Sequence, residues 1–149
     1  MTQLNNWIHP NPYLHEITIS KEMTDKLGHT NNVRYVEFLE NIAWDHIESL
    51  GCGWDVKEKI GKAMAITRTE IDYVNASYLD DCLHVATWVI ASDQRFTCSR
   101  QFQIIRASDK KTILNAKMNF ACISLKTGRL SKMPEIFVKA LDQGLQVIQ

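Results

Sequence analysis

The run Met23-Thr24-Asp25-Lys26-Leu27-Gly28-His29-Thr30-Asn31-Asn32-Val33-Arg34-Tyr35 joins an alternating segment to a long helical pattern. Gly28 permits a sharp turn, and asparagines such as Asn31 and Asn32 are good caps for a helix N-terminus. An acid, Asp25, precedes the turn. The order of acid, turn, cap and helix predicts that this carboxylate lies beside unpaired backbone N–H groups.

The helix predicted after this run extends from Asn32 to Leu50. At about 100° per residue, its apolar side chains cover roughly half of the circumference, which is wider than a surface helix needs. This apolar face comprises Val33, Tyr35, Val36, Leu39, Ile42, Ala43, Ile47 and Leu50. We therefore expect a helix that is enclosed by the rest of the chain and ended by Gly51.

Two polar residues of this helix, Glu40 and His46, fall inside the apolar arc. A lone histidine on an apolar face usually finds a carbonyl partner, so His46 is predicted to be a core residue. A buried carboxylate needs partners, a raised pKa or a position at an opening. Glu40 is therefore either a satisfied core carboxylate or a functional acid or base.

Alternating segments on both sides of the helix predict five strands. Tyr13–Ile19 alternates with a period of two, and four longer strands are predicted at 63–73, 83–91, 96–104 and 112–125. Further helical segments are predicted at 54–60 and 135–147. Since no helix separates the later strands, they are predicted to form an antiparallel meander. The predicted fold class is α+β, with a curved antiparallel sheet wrapped around a long central helix.

Length and charge narrow the function classes. The 149 residues suit one domain, spanning 1–149. Lysine plus arginine total 17 and aspartate plus glutamate total 17, so the formal net charge is zero and no nucleic-acid partner is indicated. No segment reaches membrane-spanning length, so no membrane association is expected. The four cysteines are widely spaced and no secretory leader is apparent, which favours free thiols in the cytoplasm.

The run Asp25-x-x-Gly28-His29-x-Asn31-Asn32-x-x-Tyr35-x-x-Phe38-Leu39-Glu40, together with the order of elements, resembles the hot-dog fold acyl-CoA thioesterases of the 4-hydroxybenzoyl-CoA thioesterase-like family. The resemblance extends from about Tyr13 to Leu125. It implies a hot-dog fold, hydrolysis of an acyl-CoA substrate, and a homodimer or homotetramer with active sites at subunit interfaces. No histidine pair has metal-ligand spacing, and phosphate-loop and nucleophile-elbow motifs are absent, which favours a hydrolase without cofactor or metal.

The resemblance also implies roles for individual residues. Asp25 matches the acid that acts as nucleophile or general base, and the helix start around Asn31 and Asn32 matches the site that polarises the thioester carbonyl. The family often has a second acid two residues before the first, where this chain has Met23. Some branches take the acid from the central helix, which keeps Glu40 as an alternative. His29 is expected either to orient the loop or to line the pocket.

Substrate contacts are predicted on both sides of the reacting bond. Arg95 and Arg100, near predicted hairpin turns, are candidates for the phosphates of coenzyme A, although either is also explained as a solvated strand residue. Tyr35, Phe38 and Met64 are candidates for the acyl pocket. Two other functions remain open: an enoyl-thioester hydratase using Asp25 and His29, and a non-catalytic acyl-CoA-binding module.

Overall fold

The computed structural model describes residues 6–148, in which five strands form one antiparallel sheet and three α-helices accompany it. Each predicted strand and helix is confirmed, with ends within two residues of those expected. The elements are β1 (Tyr13–Thr18), α1 (Asn32–Ser49), α2 (Trp54–Ile60), β2 (Lys62–Tyr73), β3 (Cys82–Ser92), β4 (Thr97–Arg106), β5 (Thr112–Ser124) and α3 (Glu135–Gln146), with one 3-10 turn at Lys21–Met23.

The strand order is β1-β3-β4-β5-β2, so the prediction of a continuous meander is wrong at β2. β1 pairs with β3 and occupies the edge that β2 would have taken, and β2 pairs with β5 instead. The chain between β2 and β3, residues 74–81, is therefore a crossover segment and not a hairpin turn. It begins where Val74 N–H donates to the Ile113 carbonyl (2.9 Å) and ends where Asp80 N–H donates to the Ile19 carbonyl (2.8 Å).

Helix α1 packs against β1 and β3, on what we call the inner face of the sheet. Alternate β3 residues with buried side chains, Leu83, Val85 and Val89, belong to the same core cluster as Leu39 and Ile42 of α1. The ladders shift register in β2, β3 and between β4 and β5. Because such bulges bend and twist a strand, they curve the sheet around α1, and the predicted helix-in-sheet arrangement is confirmed.

The enclosure of α1 is one-sided within a single subunit. Val33 is 65% exposed and Trp44 is 47% exposed, whereas six other residues of α1 are buried. Helix α3 packs against β3, where the backbone of Gly144 approaches Val89 so closely that a Cβ atom would lie 3.0 Å from its side chain. Among the described helices, none has the length and apolar character needed to cross a bilayer.

The N-terminal segment covers part of the opposite, outer face of the sheet. The Trp88 indole N–H donates to the Pro10 carbonyl (3.0 Å), and the ring of Trp7 packs edge-on against Trp88. Ile8 N–H donates to Oε1 of Gln103 (3.0 Å). The chain itself therefore shields Trp88, a large residue on the outer face, from solvent.

Candidate active site

Residues 24–31 form a closed loop, here called the acid loop, that leads into α1. Asp25 N–H donates to the His29 carbonyl (2.8 Å), and Gly28 N–H donates to the Asp25 carbonyl (3.0 Å). Thr24 and Thr30 face each other as an antiparallel bridge. Gly28 has φ +80°, in the left-handed region that favours glycine. The predicted sharp turn is confirmed.

The Asp25 carboxylate is held through one of its two oxygens. Oδ1 accepts hydrogen bonds from the backbone N–H groups of Leu27 (2.9 Å) and His29 (3.2 Å). Oδ2 accepts none from residues 6–148, and the residue is exposed. The carboxylate is thus fixed by one oxygen while the other is available to a substrate or a water molecule.

The start of α1 leaves one backbone donor unused. Asn31 is the N-cap: its Oδ1 accepts from Val33 N–H (3.1 Å) and its carbonyl accepts from Arg34 N–H (2.9 Å). Asn32 N–H, by contrast, donates to no group in the part of the chain that the structure describes. The N-terminus of a helix carries a partial positive charge, so this amide is suited to a developing negative charge.

Hydrogen bonds between buried hydroxyl groups connect the acid loop and the start of α1 to the crossover segment. Ser77, in the crossover segment, is fully buried, and its Oγ shares hydrogen bonds with Thr30 Oγ1 (2.6 Å) and with the Tyr35 hydroxyl (2.6 Å). The His29 ring packs edge-on against Tyr78, with the ring centres 5.2 Å apart. Sequence reasoning missed Ser77, because its partners lie 42 and 47 positions away and no local pattern marks it.

Met23 occupies the position where the resemblance leads one to expect a second acid. Its side chain packs against the core, and its carbonyl accepts a hydrogen bond from Asn31 N–H (2.8 Å). The residue therefore fixes the entry into α1 through its backbone, and Asp25 is the carboxylate that the acid loop presents.

A cavity of about 230 Å³ lies beside the second half of α1. Its walls come from all three helices and from β2, β4 and β5, and its lining residues are Glu40, Ala43, Trp44, Ile47, Lys57, Met64, Ile66, Cys98, Arg100, Met118, Phe120 and Leu141. Met64 is thus on the wall, whereas Tyr35 and Phe38 are buried in the core and are not among these lining residues.

Glu40 lies in a different environment from the buried one that the helical pattern suggests. The residue is exposed and also lines the cavity, which puts it at the mouth. The prediction that His46 is a core residue is confirmed, since it is buried with its ring stacked on Tyr13 at 4.7 Å between centres, but its hydrogen-bond partner is Arg100 and not the expected carbonyl.

Arg100 is enclosed inside the subunit, so the expectation of a solvated strand residue is wrong. It is 3% exposed, and one guanidinium nitrogen donates to His46 Nδ1 (2.8 Å) and to Thr87 Oγ1 (3.3 Å). Burial, together with the charge of Arg100, lowers the pKa of His46 to about 3, so this imidazole is neutral and accepts the bond. A guanidinium held in this way is not placed to meet coenzyme A phosphates at the surface, whereas Arg95 is exposed.

Lys57 of α2 is the second buried cation of the cavity. It is 5% exposed, and its ammonium group lies 4.0 Å from the centre of the Trp44 ring. Within residues 6–148, no carboxylate lies within 4.0 Å of either Lys57 or Arg100. The cavity therefore combines apolar walls with positive charge.

Glu16, Cys82 and His84 meet on β1 and β3, a grouping that spacing along the chain does not reveal. Their possible ligand atoms lie within 4.8 Å of one another. Glu16 and His84 are direct cross-strand partners, and His84 Nε2 lies 3.3 Å from a carboxylate oxygen of Glu16. A cross-strand pair of this kind is accounted for by its own electrostatic attraction. All four cysteines are free thiols, as predicted.

Comparisons with known proteins identify relatives of the whole domain. A sequence model of the thioesterase-like superfamily matches residues 19–141. Over 120 residues, the chain is 30% identical to the long-chain acyl-CoA thioesterase FadM of Escherichia coli (strain K12), and the match covers 80% of this chain and 89% of that relative.

Several solved structures of other proteins superpose well on this chain. A hypothetical protein from Staphylococcus aureus, solved in complex with CoA, superposes with a TM-score of 0.86 at 15% identity, over 97% of this chain and 90% of that one. A 1,4-dihydroxy-2-naphthoyl-CoA thioesterase from Synechocystis gives 0.78 at 15% identity, over 89% and 96%. YbaW, a probable thioesterase from Escherichia coli, gives 0.76 at 22% identity, over 92% and 99%. These similarities confirm the predicted hot-dog fold.

Proposed function

The chain belongs to the thioesterase-like superfamily, and from that premise we propose that it hydrolyses an acyl-CoA thioester to the free acid and coenzyme A. The observation that carries the proposal is the acid loop, in which Asp25 has one uncommitted oxygen and Asn32 offers an uncommitted amide at a helix start. The name of the Escherichia coli relative and the CoA held by the Staphylococcus neighbour support an acyl-CoA as substrate.

Asp25 can act by either of two routes, as a nucleophile or as a general base. In the first, its free oxygen attacks the thioester carbon, the carbon–sulfur bond breaks, and the thiolate leaves and takes up a proton. Water then hydrolyses the mixed anhydride. In the second, the carboxylate takes a proton from a water molecule that attacks the same carbon, and the proton passes on to the departing sulfur.

In both routes the carbonyl oxygen gains negative charge in the transition state. The Asn32 amide, backed by the partial positive charge of the α1 N-terminus, would stabilise that oxyanion. Loss of one such donor typically lowers the rate about a hundredfold to a thousandfold. Asn31 would keep this end of the helix in place through its cap hydrogen bond.

The other predicted site residues take supporting roles in this proposal. His29 would orient the acid loop through its contact with Tyr78. Glu40, at the mouth of the cavity, is the alternative acid, and a reaction that used it would take place at that mouth and not at the acid loop. Arg95 is exposed on the β3–β4 turn and would meet the phosphates of coenzyme A. Met64 would contact the acyl group from the cavity wall.

We further propose a homodimer or homotetramer in which a second copy covers the acid loop. Apolar residues in and beside the acid loop and in the crossover segment are strongly exposed in the single subunit: Leu27 (77%), Val33 (65%), Leu79 (48%) and Tyr78 (47%). Exposed apolar surface of this kind marks contact sites, and most soluble oligomers are symmetric assemblies of identical chains. The free thiols support a reducing compartment such as the cytoplasm.

Thiol release from a panel of acyl-CoAs tests the activity. The Asp25→Asn variant is expected to lose activity by at least about a hundredfold, because the amide neither attacks nor accepts a proton. Asp72→Asn is the control, since Asp72 is an exposed aspartate of β2 to which the proposal gives no role. Full activity of Asp25→Asn would remove Asp25 from the mechanism. Loss of enoyl-CoA absorbance without thiol release would instead identify a hydratase.

A further inference from the structure

We propose that the cavity beside α1 receives the far end of the acyl group, and that this end carries a carboxylate. The substrate class is then the coenzyme A ester of a dicarboxylic acid, with Lys57 and Arg100 as the residues that select it. The inference rests on the proposed thioesterase function and names the substrate class for that same site.

The residues that line the cavity have a net positive charge, which one anion would balance. Two lining residues are cations, Lys57 and Arg100, and one is an acid, Glu40, so their sum is +1. Glu40 is exposed at the mouth, where solvent screens it, and it lies more than 4.0 Å from both cations. Buried charges in proteins are normally paired. A ligand carboxylate would supply the missing partner.

Arg100 and Lys57 both have N–H groups that no described residue accepts. The hydrogen bonds of Arg100 to His46 and Thr87 all come from one nitrogen, Nη1, so Nε and Nη2 donate to no group among the described residues. Those two nitrogens form the fork that binds a carboxylate in bidentate fashion. The ammonium group of Lys57 contacts the face of Trp44, and no hydrogen-bond acceptor for it is found among the described residues. Burial lowers the pKa of Lys57 and brings the pKa of Arg100 down to about 10, so an anion would stabilise both charges.

The position of the cavity fits the far end of an acyl chain. Its lining residues on α1 run from Glu40 to Ile47, nine to sixteen residues after the cap Asn31. At a rise of 1.5 Å per residue, they lie about 14 to 24 Å along the helix from this cap. The walls include apolar side chains from α1, β2 and β5, such as Ala43, Met64 and Met118. A chain that starts at the helix N-terminus would therefore pass apolar surface and end near the cations.

Hydrolysis of matched substrate pairs tests the inference. Each pair has the same number of carbons, and one acyl-CoA ends in a methyl group while the other ends in a carboxylate. The wild-type protein is expected to favour the carboxylate-ended ester about tenfold to a hundredfold in kcat/KM at the best chain length, as for a hydrogen bond between charged groups. Lys57→Met should lose most of that preference, measured within the variant as the ratio of the kcat/KM values for the two esters. Lys59→Met, an exposed change on the same helix, should keep the preference.

Each outcome separates this inference from the proposed function. If the methyl-ended ester is the better substrate at every length, or if the preference survives Lys57→Met, the carboxylate site is overturned and the thioesterase stands. If neither ester is cleaved, the thioesterase proposal fails. Calorimetry with the free acids then tests whether the cavity binds a carboxylate. Tighter binding of the dicarboxylic acid than of the monocarboxylic acid, lost in Lys57→Met, would support the site, and equal binding would overturn it.

Discussion

The two ends of α1 present opposite environments. At the N-terminus the helix offers an uncommitted amide at Asn32, and the acid loop that leads into it carries the exposed Asp25. Along its second half it borders an open cavity with two buried cations, Lys57 and Arg100. Under the functions proposed above, bond cleavage would take place at the start of the helix and recognition along its second half. Changes at the start should therefore alter rate, whereas changes along the second half should alter selectivity and the response of stability to pH.

The largest effect on stability is expected at the cavity end, from titration of His46. Its pKa is about 3 in the folded protein and 6.5 in an unfolded chain. Between these values the unfolded state binds a proton that the folded state does not. The contribution of His46 to the free energy of unfolding is therefore fully present above about pH 6.5. It decreases by up to ~1.4 kcal/mol for each pH unit below that value. Urea unfolding at a series of pH values measures this slope.

His46→Gln is the variant that assigns this slope, because glutamine can still accept a hydrogen bond from Arg100 but does not titrate. The slope should disappear in the variant. The pKa of Asp93 is also lowered, to about 2, by the backbone N–H groups of its turn, so its contribution is lost as the pH falls below about 3.8. Measurements between about pH 5 and 6.5, where aspartates are ionised in both the folded and the unfolded state, therefore isolate His46, and an unchanged slope in His46→Gln would show that another group is responsible.

At the acid-loop end, removal of the Ser77 hydroxyl is expected to have the next largest effect. Ser77→Ala leaves the buried hydroxyls of Thr30 and Tyr35 without their shared partner, which should lower the free energy of unfolding by about 1–3 kcal/mol. The rate of thiol release should fall as well, because the loop loses its support. Ser99→Ala removes one hydroxyl bonded to Asn119 on β5 and should leave the rate unchanged. Wild-type stability and rate in Ser77→Ala would contradict this role.

The smallest of these effects is expected at the helix cap. Asn31→Ala removes the acceptor for Val33 N–H and should lower the free energy of unfolding by about 1 kcal/mol. Asn31→Asp restores an acceptor and adds a negative charge near the positive helix end, so it should recover the stability. Thermal unfolding measures both variants, and equal melting temperatures for Asn31→Ala and the wild type would show that the cap does not stabilise α1.

The sequence predicted what depends on neighbouring residues. Periodicity located the helices and strands, and Gly28 and Asn31 act within a few positions of their partners, so the acid loop and its cap could be foreseen. The place of β2 in the sheet could not, because strand order depends on which edge of β3 is already occupied. Ser77 was missed for the same reason, since its partners are distant in the chain.

The burial of Arg100 had a signal in the sequence that its charge obscured. It alternates in phase with Cys98 and Phe102, and those residues face the core. Glu40 was harder to predict. A helical projection gives the width of an apolar arc, and it does not say which edge of that arc the neighbouring elements leave open.

The hydrogen bonds between Ser77 and the acid loop affect the order in which the protein folds. Thr30 and Tyr35 reach Ser77 across 47 and 42 positions of chain, so these hydrogen bonds close a long loop. Contacts between distant positions carry the entropy cost of closing a long loop before they gain stability. The acid loop should therefore become ordered late on the folding pathway, and local opening of the crossover segment would abolish turnover while the sheet stays folded.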